Sequence, residues 1–157
     1  MMNIYTVCFF GHREIERASE IEKRLDKLLH DIIIQNEYVN FLIGRDGNFD
    51  ILASAAIKRA INSYSYGNTH FTLVLPYLKA EYRDNKEYFL DYYDEVEVCE
   101  ESAKAHFKST IQVRNRNLVD RSDLVVCCIQ HKSGGAYQTI QYAKKQGKKV
   151  VNLSEKD

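Results

Sequence analysis

Short apolar runs alternate along the chain with longer amphipathic stretches, the arrangement of strands joined by crossover helices in a mainly parallel sheet. Ile4–Phe10 reads as the first strand. After a Gly11-His12-Arg13 turn comes a helix whose Ile15, Ala18, Ile21, Leu25, Leu28, Leu29 and Ile32 form one apolar stripe. Tyr38–Ile43 reads as the second strand, ending in Gly44-Arg45-Asp46-Gly47, after which Asp50 sits where it can cap a helix rich in alanine, Ala53 to Ala60. Phe71–Leu75 is a third strand, stopped by Pro76, which cannot donate to a continuing ladder.

The next stretch predicts a solvated helix over Glu81–Tyr92, a short strand over Glu95–Cys99, and one helix over Ala103–Arg121. That last helix sends Ala103, Phe107, Ile111, Leu118 and Val119 to the core. Leu124–Ile129 is apolar at every position, so it is expected to be a central strand covered on both faces. A turn over Gln130–Gly135, a helix over Ala136–Gln146 ending at Gly147, and a last strand over Lys149–Leu153 complete the winding. No linker or repeat interrupts the 157 residues, which fit one domain, residues 1–157, able to bury roughly 70% of its unfolded surface.

Composition narrows the function classes. Lys plus Arg and Asp plus Glu both number 22, so the positive excess of a dedicated duplex-DNA binder is missing and the balance argues against nucleic acid. No apolar run reaches the length of a membrane span, so no membrane association is expected, and the N-terminal MMNIYTVCFFGHRE has no basic leader, so a cytoplasmic location is expected. Cys8, Cys99, Cys127 and Cys128 lie in apolar segments without C-x-x-C spacing, which predicts buried, reduced thiols and no metal site. As strand neighbours, Cys127 and Cys128 are expected on opposite faces.

In open α/β sheets ligands bind beyond the carboxyl ends of the strands, where helix N-termini offer unpaired amides and a favourable dipole for anions. Three turns qualify: Gly11-His12-Arg13, Gly44-Arg45-Asp46-Gly47 and Ser133-Gly134-Gly135. None completes a G-x-G-x-x-G or Walker motif. Two adjacent glycines after the most apolar strand make Ser133-Gly134-Gly135 the best phosphate cradle, with His131 and Lys132 near it, although a plain strand-to-helix turn has the same composition. Arg13 can hold phosphate bidentately or pair with Glu14 or Glu16, and His12 can donate to a ligand oxygen. Asp50 suits a ribose hydroxyl or a helix cap. Arg114 and Arg116 stand two apart on a helix, so at most one faces a shared pocket, while Asp120 and Asp123 read as capping and turn residues.

The words CFFGHR, GNFDILASAAI, VRNRNLVDRSDLVV and GGAYQTIQYAKKQGKKVV, in that order, resemble the SLOG superfamily, and most nearly its YpsA-like group. Smf/DprA DNA-uptake proteins and LOG nucleotide phosphoribohydrolases are more distant members. The resemblance spans nearly the whole chain. It implies a Rossmann-like, three-layer α/β/α fold with a mostly parallel sheet, and a nucleotide-type ligand at Gly11-His12-Arg13, the Gly47-to-Asp50 turn and Gly134-Gly135, with no other cofactor. LOG enzymes carry P-G-G-x-G-T-x-x-E; aligned on the paired glycines, this chain has Tyr137, Gln138 and Gln141 at the third glycine, the threonine and the glutamate. An amide does no acid–base work, so glycosidic cleavage by that route is not expected.

Three functions follow as expectations. The first is a nucleotide-binding or nucleotide-sensing module that passes its state to a partner. The second is an enzyme acting on an N-glycosidic bond, with Asp50, Arg114 or Glu81 as the candidate catalytic residues. The third is a single-strand nucleic-acid binder stacking bases on Tyr64, Tyr66, Tyr88, Tyr92 and Tyr93. The tyrosine-rich segment Tyr77 to Tyr93 also suits a homo-oligomer contact or a cover for one sheet edge.

Overall fold

In the computed structural model, which describes residues 2–155, six strands form one sheet in the order β4-β3-β2-β1-β5-β6, every neighbouring pair parallel. The strands are β1 Ile4–Gly11, β2 Tyr38–Ile43, β3 Thr69–Leu75, β4 Glu95–Val98, β5 Leu124–Cys128 and β6 Lys149–Asn152. The chain builds outward from β1 to the β4 edge, then returns to the other side of β1 for β5 and β6. That reversal leaves a crevice above the carboxyl ends of β1 and β5.

Helices α1, Ala18–Gln35, and α2, Asn48–Tyr64, cover one face. Ile21, Leu25, Leu29 and Ile32 recur at helical spacing and are buried with Val7, Phe9 and Phe41 of the sheet. Ala53, Ala56 and Ala60 let α2 lie close, while Phe49 and Ile57 fill the space that remains. Helices α6, Thr110–Arg121, and α7, Gly135–Lys145, cover the other face, with Leu118, Val119, Ile140 and Ala143 packed on Cys8, Phe10 and Val125. The result is the three-layer α/β/α arrangement, and β5, buried at every position, lies inside the sheet as its uniform apolarity requires. Edge strand β4 alternates instead, Val96 and Val98 toward the core and Glu95 and Glu97 on the opposite face, where Glu97 pairs with Arg121 of α6 (2.6 Å). Cys127 and Cys128 fall in the two different core clusters, on opposite faces, and all four cysteines are buried. Burial pushes the Cys8 and Cys127 thiols up to about 12 and the Cys128 thiol to about 11, which keeps them protonated and unreactive at neutral pH. No helix among the described residues is long and apolar enough to cross a membrane.

Three expected helices differ in extent. The stretch read as one helix over Glu81–Tyr92 is two, α3 Ala80–Asp84 and α4 Lys86–Tyr92, because Asn85 turns the chain and bonds back to the Glu81 carbonyl (2.8 Å). The Ala103–Arg121 helix divides into α5 Glu100–Ala103, a 3-10 turn over Phe107–Ser109, and α6. Ala103 and Phe107 are exposed, not core residues: α5 stops at Ala103, and the His106 side chain accepts from the Lys108 amide to cap the separate 3-10 turn that carries Phe107. Helix α1 starts at Ala18, so Ile15 packs on the core from a loop.

Candidate functional site

The carboxyl ends of β1 and β2, the first turn of α2, and the α6 and α7 helices enclose a cavity of about 570 Å³. Gly11, His12, Arg13, Gly44, Asp50, Arg114, Gly134 and Gly135 all line it, so the three turns that the sequence separates by more than a hundred residues do converge. Gly47 and Ser133 stand behind the lining. Asp46, Lys108, Gln112, Asn115 and His131 join it.

At the cavity floor lies a buried charge cluster. Arg114, 1% exposed, donates from Nη1 to the Val74 carbonyl (2.9 Å), from Nε to Asn115 Oδ1 (2.9 Å), and from Nη2 to Asp46. It is a positioning residue: the fork holds the β3 end, α6 and the β2–α2 turn together. Arg116 points outward over the Tyr142 ring, so only one of the two arginines reaches the pocket. Asp50 is not the helix cap that the sequence suggests. Gly47 occupies that position and Asp50 lies in the first turn, its Oδ2 accepting the Asp46 amide (2.9 Å) while Oδ1 has no hydrogen-bond partner. Burial, with Asp46 beside it, raises the Asp50 carboxyl from 3.8 to about 7, against the pull of the Asp46 amide, Arg114 and Lys79. Asp50 can therefore donate or accept a hydrogen bond near neutral pH.

The three turns play different parts. Gly134 has φ 91° and caps α7, a conformation open to glycine, although a side chain there would meet nothing within 4 Å. No hydrogen bond occupies the amides of Gly135, Ala136 and Tyr137; the first helical bond runs from the Gln138 amide to the Gly134 carbonyl (3.1 Å). Gln112 holds the turn by donating to the Gly135 carbonyl (3.0 Å). Ser133 is not part of the lining and contacts the ring of a residue that is, His131 (3.0 Å).

The first turn departs from its expected role. Gly11-His12-Arg13 does not open a helix, since Glu14 to Arg17 intervene, so it offers no helix dipole to an anion. Gly11 is a packing residue: a Cβ there would lie 2.5 Å from Phe49 Cβ, inside the core. Gly11→Ala is expected to cost about 1–3 kcal/mol by overpacking in urea denaturation, and Phe49→Leu to recover part of it. Arg13 makes no ion pair with Glu14 or Glu16; its carbonyl accepts from the Asn48 amide (2.8 Å), occupying one N-terminal group of α2, while its side chain is exposed at the cavity rim. Gly44 packs against Arg114 and Asp46, and Gly47 against the Arg13 backbone.

His12 and His131 stack with ring centroids 3.6 Å apart and planes 9° apart. His12 is buried and accepts from the His131 amide at Nε2 (3.4 Å); burial, then the neighbouring His131, lowers its pKa, so it is neutral at pH 7.

Other candidates lie elsewhere. Glu81 pairs with Arg45 (3.0 Å) outside the central cavity. Gln141 is exposed and, with Tyr137 and Lys144, borders a separate cavity of about 470 Å³ on the β6 side of α7. Tyr64 ends α2 and Tyr66 follows it, whereas Tyr88, Tyr92 and Tyr93 lie beside the start of α2, and Tyr93 is buried, so the five do not form one stacking surface. Asp123 takes its expected turn role by accepting the Thr6 amide (2.8 Å), and Asp120 accepts from the Tyr142 hydroxyl (2.7 Å). Among the described residues no three metal-type side chains meet. Sequence reading missed Asp46, Lys108 and Gln112. Asp46 was legible as the carboxylate inside a flagged glycine turn; the other two were hidden by the expected continuous helix.

No family model and no curated protein matches this sequence. Solved structures do match in fold. DNA processing protein A from Helicobacter pylori, described for its single-stranded DNA binding mode, aligns with TM-score 0.61 and 16% identity over 98% of this chain and 68% of that one. DNA processing protein A (DprA) from Streptococcus pneumoniae aligns with TM-score 0.63 and 17% identity over 94% of this chain, which spans about half (49%) of that protein. The Moco carrier protein from Chlamydomonas reinhardtii aligns with TM-score 0.62 and 18% identity over 98% of this chain and 78% of that one. At such identities the likeness establishes the Rossmann-like fold.

Proposed function

We propose that this chain is a SLOG-type module that binds a nucleotide or nucleotide-derived small molecule at the carboxyl edge of its sheet, with phosphate at the N-terminus of α7. One observation carries the reading: unpaired amides of α7, turned by Gly134, open onto a cavity of about 570 Å³ whose rim also holds Arg13 and Lys108. Both its polarity and its volume suit a phosphorylated metabolite. The fold shared with the DprA proteins and the Moco carrier protein supports SLOG kinship, and the order of the sequence motifs favours the YpsA-like group.

The module holds its ligand without LOG-type cleavage. The residue at the LOG glutamate position, Gln141, is an amide and lies outside the cavity that contains Asp50. Single-stranded nucleic acid is the second reading. The H. pylori neighbour binds it, so overall charge neutrality does not decide the matter.

Calorimetric titration with mononucleotides, dinucleotides, cyclic nucleotides and ADP-ribose is expected to give saturable binding to at least one class. Lys108→Ala, an exposed change, and Gly134→Ala are each expected to weaken it about tenfold. No binding across the panel would remove the proposal. Salt-dependent binding of an oligonucleotide without any mononucleotide binding would replace it with the second reading.

A further inference from the structure

Asp50 borders a second cavity. About 270 Å³ in volume, it lies between the start of α2 and helix α4, with Tyr88, Tyr92 and Tyr93 on one side and Arg45, Asp50 and Ser54 on the other. Gly44 and Asp50 line both this cavity and the larger one, so the first turn of α2 is their common wall. Tyr88 is 64% exposed and Tyr92 half-buried, which leaves ring surface free, while Tyr93 is buried and edges against Tyr92 at 4.8 Å. The polar side carries mixed capacity: a guanidinium that donates, a hydroxyl that does both, and the unbonded Oδ1 of a carboxyl that is only 8% exposed.

A carboxyl that lines two cavities and keeps one oxygen open to them is available to a ligand in either. Charge decides the kind of ligand. Tyrosine clusters commonly hold cations, but Arg45 lines this one and the Lys58 ammonium sits 5.3 Å from the Tyr92 ring centroid. Lys58 already covers the Tyr92 ring face, and Arg45, paired with Glu81, supplies a second cation, so the place of a cationic guest is taken. The cavity suits a neutral, flat heteroaromatic ring with donors and acceptors on its edge, carried by an anionic group.

We infer that the tyrosine cavity is the ring subsite of the same ligand, taking the nucleobase while the phosphate lies at α7 and Asp50 contacts the part between them. This rests on the nucleotide reading above. Stacking on Tyr88 and Tyr92 supplies affinity, and Arg45 and Ser54 read the ring edge.

Titration of the full chain with the common nucleoside 5′-monophosphates, and with ribose 5-phosphate as the ring-free probe, separates the two claims. At least one monophosphate is expected to bind about tenfold or more tightly than ribose 5-phosphate. Tyr88→Ala, an exposed substitution that leaves the core intact, is expected to reduce that ratio below about threefold, and Tyr92→Leu to do the same. Equal binding of both probes, or a ratio that neither variant changes, overturns the ring subsite and leaves the phosphate site standing. Binding of neither probe overturns both.

Discussion

Arg114→Met is expected to destabilise the protein by about 3–5 kcal/mol, the largest loss of any single substitution at the site. Methionine fills the volume but supplies no donor. The Val74 carbonyl and Asn115 Oδ1 lose their partner, and Asp46 loses the nearer of its two cations, keeping only Lys79 at 3.8 Å. Exposed pairs such as Arg45–Glu81 are worth an order of magnitude less, because solvent screens them and both side chains stay mobile. Arg114→Lys should fall between, since an ammonium keeps the charge but cannot reach acceptors on three elements from one planar fork. Urea denaturation measures both; a loss under about 1 kcal/mol for Arg114→Met would show that the cluster is not what holds the β2–α2 turn.

Asp50→Asn is expected to stabilise the protein at pH 8 and to change little at pH 4. The sign follows from the folded-state carboxyl at about 7 against 3.8 when unfolded. Between those values the folded chain keeps a proton that the unfolded chain has released, so Asp50 favours folding fully below about pH 4. That contribution is lost as pH rises through 7, by on the order of 4 kcal/mol in all. Asparagine is neutral throughout and can still accept the Asp46 amide, so the difference between variant and parent should grow from near zero at pH 4 to a plateau above pH 7. Other carboxylates titrate in both proteins and cancel in the difference. A difference that does not vary with pH would mean that Asp50 titrates in the folded chain as it does in the unfolded one.

Those two predictions concern one cluster with opposite signs. Arg114 is buried with its acceptors satisfied, so removing it exposes a deficit. Asp50 is buried where its charged form is poorly solvated, so neutralising it relieves that cost. Retaining such a group at a stability cost is the pattern of a binding site, where a ligand supplies what folding does not.

Much of this was open to reading along the chain. The uniform apolarity of Leu124–Cys128 required an interior strand, the stripe from Ile21 to Ile32 a one-sided helix, and the paired glycines at 134 and 135 a strand-to-helix turn with positive φ. Each is a short-range consequence of side-chain period or backbone sterics, which neighbours in sequence decide. Tertiary packing and a few single hydrogen bonds decided the rest. Gly11 and Gly134 look alike as turn glycines, yet one is required by the Phe49 ring and the other by its own φ. Asp50 has the sequence position of a cap but becomes a neutral-range acid, because burial and Asp46 act on it through space. Helix breaks at Asn85 and His106 came from single local hydrogen bonds that hydrophobic period does not register. Most elements follow from the sequence, since their signals are local; only the assembled sheet decides which residues share a cavity, because that depends on contacts between segments more than a hundred residues apart.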